Sequence, residues 1–155
     1  MLRIGEGWDI HKLVQGAPLK IGGITVPSAK GESAHSDGDV LLHAIIDAIF
    51  GAFADGDIGS HFPDTDPSYK DCNSMVLLYK TLALHPFVLA NLDCTILLQE
   101  PKLQPFILSI RQKLATALKV PTSSISVKAK TAEHIGAVGA GDAIIAKAVI
   151  LLESK

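Results

Sequence analysis

The sequence is poor in charged residues, which fill 19% of its 155 positions, whereas hydrophobic residues fill 48%. Globular proteins average about 25% charged residues. Intrinsic disorder needs the opposite composition, high charge with little hydrophobicity, so a disordered chain is excluded. A chain of this length commonly forms one domain, and we expect residues 1–155 to be a single domain.

Long apolar runs are also missing. The two richest, 40–54 and 143–152, are interrupted by His43 and Asp47 and by Lys147, so neither reaches the roughly 18 apolar residues that indicate a membrane span. The first residues lack the apolar core of a signal peptide and the Arg/Ser-rich composition of a transit peptide, so we expect a cytoplasmic protein. The remaining explanation for the apolar surplus is burial of outer surface against another copy of the chain.

Neither sign of charge is concentrated, and cysteine is rare. Fourteen basic and sixteen acidic residues give a net charge of −2, and no long like-charge block provides the basic surface that nucleic acid requires. The two cysteines, Cys72 and Cys94, belong to no CxxC motif or Cys/His cluster, so we interpret both as reduced structural thiols.

Hydrophobic periodicity predicts an α/β (α+β) fold. The pattern predicts strands over 2–11, 88–99, 125–130 and 143–152, a hairpin or bent strand over 19–26, and helices over 40–54, 74–84 and 103–118. A helix is the less favoured alternative for 143–152, and an Asp/Gly/Pro-rich loop is expected from 55 to 67. The element order predicts a mixed sheet with helices packed on one face.

One constellation has the residue types of a metal site. Asp9 and His11 are two apart on a predicted strand and therefore face the same side. His43 lies on a predicted apolar helix, and two histidines with one carboxylate form a three-ligand zinc site with an open fourth position. The structural alternative is a buried histidine bonded to a backbone carbonyl, with Asp37 or Asp39 acting only as a helix N-cap.

Two further segments are rich in polar groups. The loop over 55–67 carries four carboxylates and two glycines. One interpretation is that it binds phosphate, through backbone N–H groups or a bridging cation. The alternatives are a mobile lid and a solvated surface loop. Thr131 and Glu133 follow a predicted strand. Thr131 could donate to a phosphate oxygen and Glu133 could hold a hard cation; the alternative is that the two residues form a capping pair. Asp47 shares a helical face with His43.

Four ordered motifs, over residues 5–11, 35–44, 57–66 and 130–136, together resemble the 2-C-methyl-D-erythritol 2,4-cyclodiphosphate synthase family of the non-mevalonate isoprenoid pathway. The resemblance runs over the whole chain. It implies a phosphorus–oxygen lyase that converts 4-diphosphocytidyl-2-C-methyl-D-erythritol 2-phosphate to the 2,4-cyclodiphosphate and releases CMP. A zinc-dependent phosphohydrolase and a non-catalytic nucleotide-binding module are the alternatives.

The resemblance also implies an architecture. It predicts a ferredoxin-like mixed four-stranded sheet with helices on one face, plus a β-hairpin. Three copies would form a homotrimer with active sites at the subunit interfaces, without nucleic-acid or membrane partners. The expected location is the bacterial cytoplasm, although a mature plastid form would look much the same.

The resemblance assigns roles residue by residue. Asp9, His11 and His43 match the zinc ligands, and Glu133 matches the ligand of an Mg²⁺ or Mn²⁺ ion that bridges the substrate diphosphate. His35 and Thr131 match transition-state stabilisers, and Asp47 is predicted to support His43 from outside the ligand shell. The positions that match the substrate pocket, several of them shared with those sets, are Asp9, Ile10, His11, His35, Ser36, Asp57, Ile58, Gly59, Phe62, Pro63, Asp64, Thr65 and Asp66 for the methylerythritol phosphate, and Leu98, Gln99, Glu100, Pro101, Lys102, Leu103, Gln104, Lys130, Thr131, Ala132 and Glu133 for the cytidine diphosphate.

Some positions depart from the family pattern. Ala137 and Ala140 stand where relatives often have an aromatic residue and an arginine lining a central cavity between subunits, which in the family can hold isoprenoid phosphates. We therefore expect a dry, weakly charged cavity in a trimer of this chain. Lys130 replaces a common threonine and adds positive charge near the cytidine diphosphate, and Trp8 replaces a common phenylalanine.

Overall fold

The structure, a computed structural model that describes residues 1–155, contains a five-stranded sheet, a separate two-stranded hairpin and five helices. The strands are β1 (Leu2–Gln15), β2 (Leu19–Ile21), β3 (Ile24–Val26), β4 (Lys30–Ser33), β5 (Phe87–Leu97), β6 (Ile125–Lys130) and β7 (Ala143–Ser154). The helices are α1 (Val40–Phe53), α2 (Ile58–His61), α3 (Ser74–Leu84), α4 (Ile107–Leu118) and α5 (Gly136–Gly139), with 3₁₀ turns at Pro67–Tyr69, Gln104–Phe106 and Thr122–Ser124. None of the helices combines the length and the apolar character needed to cross a bilayer.

The large sheet has the strand order β4-β1-β7-β5-β6. Only β5 and β6 are parallel, and they are joined through α4; the other neighbours are antiparallel. This confirms the mixed sheet but corrects the predicted strand number from four to five. The long elements also do not follow the β-α-β-β-α-β order of a ferredoxin-like fold, because β6 and β7 are consecutive at the end of the chain.

The strand that the sequence did not reveal is β4. Its four residues are mostly polar and show no apolar alternation, so nothing local predicts it. It forms because it pairs with the far end of β1, where Lys12 is opposite Ser33 and Gln15 is opposite Lys30. That pairing also carries β1 four residues beyond the predicted end at His11.

Two short helices also interrupt segments for which no helix was predicted. The loop over 55–67 contains α2, and α5 follows β6. Each has four residues, little more than one turn, so neither can show the apolar periodicity that identifies longer helices. In contrast, α3 and β6 have the predicted bounds, and β2 and β3 form the hairpin variant of the 19–26 prediction through Gly22 and Gly23, both with positive φ.

The core lies between the sheet and the helices, and its centre is α1, of whose 14 residues 11 are buried. This helix approaches β1 unusually closely, since Cβ atoms added at Gly5 and Gly7 would overlap the carbonyl oxygens of Ala48 and Ala44. The two glycines therefore allow backbone-to-backbone packing. Side chains on the same face of β1, further along the strand, consequently reach the first turns of α1.

The opposite face of the sheet has no helix over it. On β1 it carries Ile4, Trp8 and Ile10, which are 70%, 50% and 45% exposed, and on β5 it carries Val88. These large apolar side chains alternate with the buried residues of the same strands. They form part of the apolar surplus of the sequence, and in a single chain they remain exposed to solvent.

Candidate active site

Three side chains that the sequence singled out meet at the junction of β1 and α1. Asp9 Oδ2 lies 2.9 Å from His11 Nε2 and 3.2 Å from His43 Nδ1, and the two histidine nitrogens are 3.3 Å apart. One ligand atom from each residue lies within 4.8 Å of the others. The structure therefore confirms that these three residues form one cluster with the spacing of a metal site.

In each histidine, one ring nitrogen faces away from the cluster, and its hydrogen bond orients the other nitrogen toward the cluster. His11 Nδ1 is 2.8 Å from the carbonyl oxygen of Gly38, which can only accept, so Nδ1 carries a proton and Nε2 is the nitrogen left to bind a metal. His43 Nε2 lies 2.9 Å from Ser74 Oγ and 3.1 Å from Ser36 Oγ, which leaves Nδ1 facing Asp9. A carbonyl-bonded histidine, the structural alternative for His43, is therefore wrong for that residue.

The electrostatics of the cluster favour a bound cation. Burial alone would raise the pKa of Asp9, but hydrogen bonds with His11 and His43 outweigh it and hold that pKa well below its ordinary value. Burial would lower the pKa of His11, yet the carboxylates of Asp9 and Glu32 raise it to about 10. The site thus attracts positive charge, and its two imidazole nitrogens and one carboxylate oxygen suit Zn²⁺ with three protein ligands.

The cluster opens into a cavity of about 330 Å³. Ten of the predicted residues line it: Asp9, Ile10, His11, His35, Ser36, His43, Ile58, Gly59, Phe62 and Asp64. Five residues that the sequence did not single out complete the lining: Lys12, Ser33, Ala34, Tyr69 and Leu77. His35 lines this cavity, and its buried Nε2 has no hydrogen-bond partner in the chain.

Two aspartates of the acidic loop serve local structure. Asp57 is the N-cap of α2 and accepts hydrogen bonds from the backbone N–H and the hydroxyl of Ser60, which lower its pKa. Asp66 caps the following 3₁₀ turn and accepts from the N–H of Ser68, which lowers its pKa. Asp57, Asp66, Pro63 and Thr65 do not line the cavity, so their predicted contacts with substrate stay predictions.

The hydrogen bond of Asp47 is made with α2, and its predicted support of His43 stays a prediction. Its Oδ1 accepts a hydrogen bond of 2.7 Å from the backbone N–H of Ile58, and it makes no hydrogen bond to His43. Burial, only partly offset by that bond, raises its pKa. Asp47 lies four residues, about one helical turn, after His43, but the Asp47 side chain points toward α2. Asp47 therefore anchors the wall of the cavity.

A second cavity, of about 410 Å³, lies where β5 and β6 end. Eight predicted residues line it, namely Leu98, Gln99, Pro101, Lys102, Leu103, Gln104, Lys130 and Thr131, together with Ile107, Val127 and Ala129, which were not predicted. Because β5 and β6 are parallel neighbours, their carboxyl ends meet at one edge of the sheet. The sheet topology thus brings the 98–104 and 130–131 segments together.

Thr131 and Glu133 are not brought to the histidine cluster. Thr131 donates a hydrogen bond of 2.9 Å to Glu133 Oε1, so within one chain the two residues form the pair expected if they only cap the end of the strand. The cavities that contain Thr131 and Asp9 share no lining residue. Within one chain, the predicted site is therefore divided into two separate parts.

A third cavity, of about 710 Å³, adjoins the second and shares four lining residues with it: Gln99, Pro101, Lys102 and Thr131. Ala140 lines it together with Lys30 and His134. The weakly charged cavity predicted around Ala140 lies between copies of the chain, so it stays a prediction.

The most informative residue that the sequence did not identify is Ser74. As the first residue of α3, it gave no signal beyond a polar helix start. Its hydroxyl contacts His43 only because α3 packs against α1, and a contact between distant segments is not encoded by hydrophobic periodicity.

The fold and the cluster define a mixed α+β protein with a candidate three-ligand metal centre beside a cavity. More particularly, the chain belongs to the YgbB family, whose model matches residues 2–153. It is 49% identical to the 2-C-methyl-D-erythritol 2,4-cyclodiphosphate synthase of Bacillus pumilus, over the full length of both chains.

Solved structures agree with this assignment. The chain is similar to a 2C-methyl-D-erythritol-2,4-cyclodiphosphate synthase with a TM-score of 0.90 and 39% identity, covering 97% of this chain and 100% of the other. A CDP-bound form of such a synthase gives a TM-score of 0.90 and 37% identity with the same coverage.

Proposed function

We propose that this chain is a phosphorus–oxygen lyase that converts 4-diphosphocytidyl-2-C-methyl-D-erythritol 2-phosphate to 2-C-methyl-D-erythritol 2,4-cyclodiphosphate and CMP. The observation that carries the proposal is the cluster of Asp9, His11 and His43 at the mouth of a cavity, in a chain similar over its full length to synthases of that name. In the reaction, an oxygen of the 2-phosphate bonds to the β-phosphorus. The bond between that phosphorus and the oxygen bridging it to CMP breaks, and CMP leaves with the electron pair.

The reaction needs no side-chain nucleophile, since both reacting groups belong to one substrate molecule. The enzyme has to hold that molecule curled and to balance the charge of crowded phosphate oxygens. Zn²⁺ held by Asp9, His11 and His43 would supply Lewis-acid polarisation of a phosphate oxygen. His35 contributes its unpartnered Nε2 as a hydrogen-bond donor to the same phosphates.

The cavity wall opposite the cluster is suited to the methylerythritol end of the substrate. Ile58 and Gly59 line it from α2, which Asp47 fixes through the N–H of Ile58. Asp57 lies just outside and would accept hydrogen bonds from substrate hydroxyls when Ser60 releases it. This arrangement orients the 2-phosphate without contributing a reacting group.

The second cavity is suited to the cytidine diphosphate. Its apolar walls accommodate a flat base, and Lys102 and Lys130 provide cations for the diphosphate. Thr131 lines this cavity and would donate to a phosphate oxygen, and Glu133 would hold an Mg²⁺ or Mn²⁺ ion that balances the charge of the diphosphate. The CDP-bound structure of a similar synthase supports a cytidine site in this fold.

The two cavities need a second copy of the chain to form one active site. Within one chain they share no lining residue, although a single substrate molecule has to contact both. The uncovered sheet face, with Ile4, Trp8 and Ile10, offers the surface through which copies associate. We therefore propose a homotrimer with its active sites at the interfaces, in the bacterial cytoplasm.

The direct test is metal analysis of the purified protein together with an assay of CMP release. The proposal predicts one zinc per chain and CMP release that depends on zinc and magnesium. Nucleotide binding without turnover, in the presence of both metals, would favour a binding module instead.

A further inference from the structure

The outer nitrogen of His43 is held by a chain of hydrogen bonds. His43 Nε2 lies 2.9 Å from Ser74 Oγ, and the Ser74 hydroxyl donates to Asp37 Oδ1. A serine hydroxyl has one proton, and here the Asp37 carboxylate takes it. Ser74 can therefore only accept from His43, so Nε2 is the donor on the outer side of the ring. Nδ1, which faces the Asp9 carboxylate at 3.2 Å, is the nitrogen left to bind a metal.

Asp37 is fixed from several sides. Its backbone N–H donates to the carbonyl of Cys72, and the N–H of Asp71 donates to the carbonyl of His35. These two hydrogen bonds join the segment that precedes α1 to the segment that precedes α3. Its other carboxylate oxygen, Oδ2, lies 3.5 Å from Lys20 Nζ. The acceptor that orients Ser74 is consequently held rigidly.

Ser74 is held equally well, since it is fully buried at the start of α3. The preceding residue, Asn73, caps this helix by accepting from the N–H of Met75. The position of the Ser74 hydroxyl is therefore set by the helix and not by a mobile loop.

Ser36 is also near His43 Nε2, at 3.1 Å, but it does not impose a direction on that contact. Its oxygen accepts from the N–H of Gly38, and its own proton has no fixed acceptor in the chain. Ser36 can therefore donate to His43 Nε2 or accept from it. Without Ser74, nothing on the outer side of the ring would require a proton on Nε2, whereas the Asp9 carboxylate would favour one on Nδ1.

We propose that Ser74 and Asp37 are positioning residues for the metal centre: they hold His43 in the tautomer that presents Nδ1 to the metal. The inference rests on the proposed zinc site. Partners of this kind, outside the ligand shell, typically change metal affinity by about 10- to 100-fold when removed.

The test compares Ser74→Ala with Thr81→Val in the full-length protein. Thr81 is a fully buried residue of the same helix, and its hydroxyl donates to the carbonyl of Leu77, away from the cluster. The measured quantity is the zinc dissociation constant, obtained by competition with a chromophoric chelator. We expect Ser74→Ala to weaken zinc binding about 10- to 100-fold and Thr81→Val to leave it unchanged.

A second readout needs no metal. Nitrogen-15 NMR of histidine-labelled, metal-free protein in mildly alkaline buffer reports which nitrogen of His43 carries the proton. We expect a proton on Nε2 in the wild type and in Thr81→Val, and its loss from part of the molecules in Ser74→Ala, where Asp9 favours the form with the proton on Nδ1 alone. If Ser74→Ala does not fold, Asp37→Asn tests the same relay, with an expected effect in the same direction but smaller.

The outcomes separate the two proposals. If the wild type binds no zinc, the proposed zinc site fails and the positioning role fails with it. If the wild type binds zinc and Ser74→Ala binds it equally well with an unchanged tautomer, only the positioning role is overturned.

Discussion

The carbonyl oxygen of Ala44 on α1 lies directly over Gly7 on β1, so closely that a Cβ at position 7 would overlap it. This contact sets the distance between the helix and the strand that together carry the metal cluster. Asp9 is two residues beyond Gly7 on the same face, and His43 directly precedes Ala44. The close approach of two backbones therefore brings a strand carboxylate within 3.2 Å of a helix histidine.

We expect Gly7→Ala to damage both stability and metal binding. Overpacking a core position typically costs about 1–3 kcal/mol, and here the obstacle is helix backbone, which cannot move aside like a side chain. The measurement is denaturant unfolding of the metal-free protein together with zinc affinity. Gly51→Ala is the matched control, because its Cβ would meet only the carbonyl of Glu6, at 3.6 Å. Equal stability of the two variants would contradict the proposed packing.

His43→Ala should abolish stoichiometric zinc and CMP release while the chain keeps its fold. The reason is that His43 is one of only three ligands in the proposed zinc site. The control is His85→Ala, since His85 bonds to Asp55 and stacks on Phe53, away from the cluster. Elemental analysis after dialysis gives the zinc content, and retention of one zinc per chain in His43→Ala would refute the ligand set.

Asp39→Ala should be strongly destabilising. The buried Asp39 carboxylate accepts from the N–H of Leu42 at the start of α1 and from those of Gly22 and Gly23 in the hairpin. Losing an N-cap costs about 0.5–2 kcal/mol, and each buried donor left without a partner costs about 1–3 kcal/mol more. Urea unfolding measures the sum. A loss no larger than that of Asp66→Ala, which removes only the cap of a short turn, would show that the hairpin contacts contribute nothing.

Asp47→Ala should raise the KM and leave zinc content unchanged, because it frees the N–H of Ile58 and loosens the cavity wall formed by α2. Asp47→Asn, which keeps an acceptor oxygen, should be close to the wild type. The opposite pattern, loss of zinc at an unchanged KM, would mean that Asp47 acts through His43, as its spacing in the sequence suggested.

Ile4→Glu should prevent the chains from associating. Ile4 is 70% exposed on the uncovered sheet face, where a buried glutamate would lose its hydration. Analytical ultracentrifugation should give the mass of three chains for the wild type and a smaller mass for the variant. Leu108→Glu, an equivalent change on α4 away from this face, should leave the mass of three chains. A monomeric wild type would refute the trimer.

The sequence predicts the parts of this protein that have local signals. The bounds of α3 and β6 follow from periodicity, and the spacing of Asp9 and His11 places both on one strand face. The fold elements that it missed, β4 and the short helices, have no periodic pattern. Asp47 and Ser74 show the same limit within the site, because their partners are set by how α1, α2 and α3 pack.

Phosphorus NMR distinguishes cyclisation from phosphate hydrolysis at the proposed zinc centre of Asp9, His11 and His43. The zinc-loaded protein is incubated with 4-diphosphocytidyl-2-C-methyl-D-erythritol 2-phosphate and magnesium, and the products are read from the spectrum. The proposed cyclase should give signals of CMP and of a cyclic diphosphate in equal amounts. Orthophosphate as the main product would contradict it and would identify the protein as a phosphohydrolase.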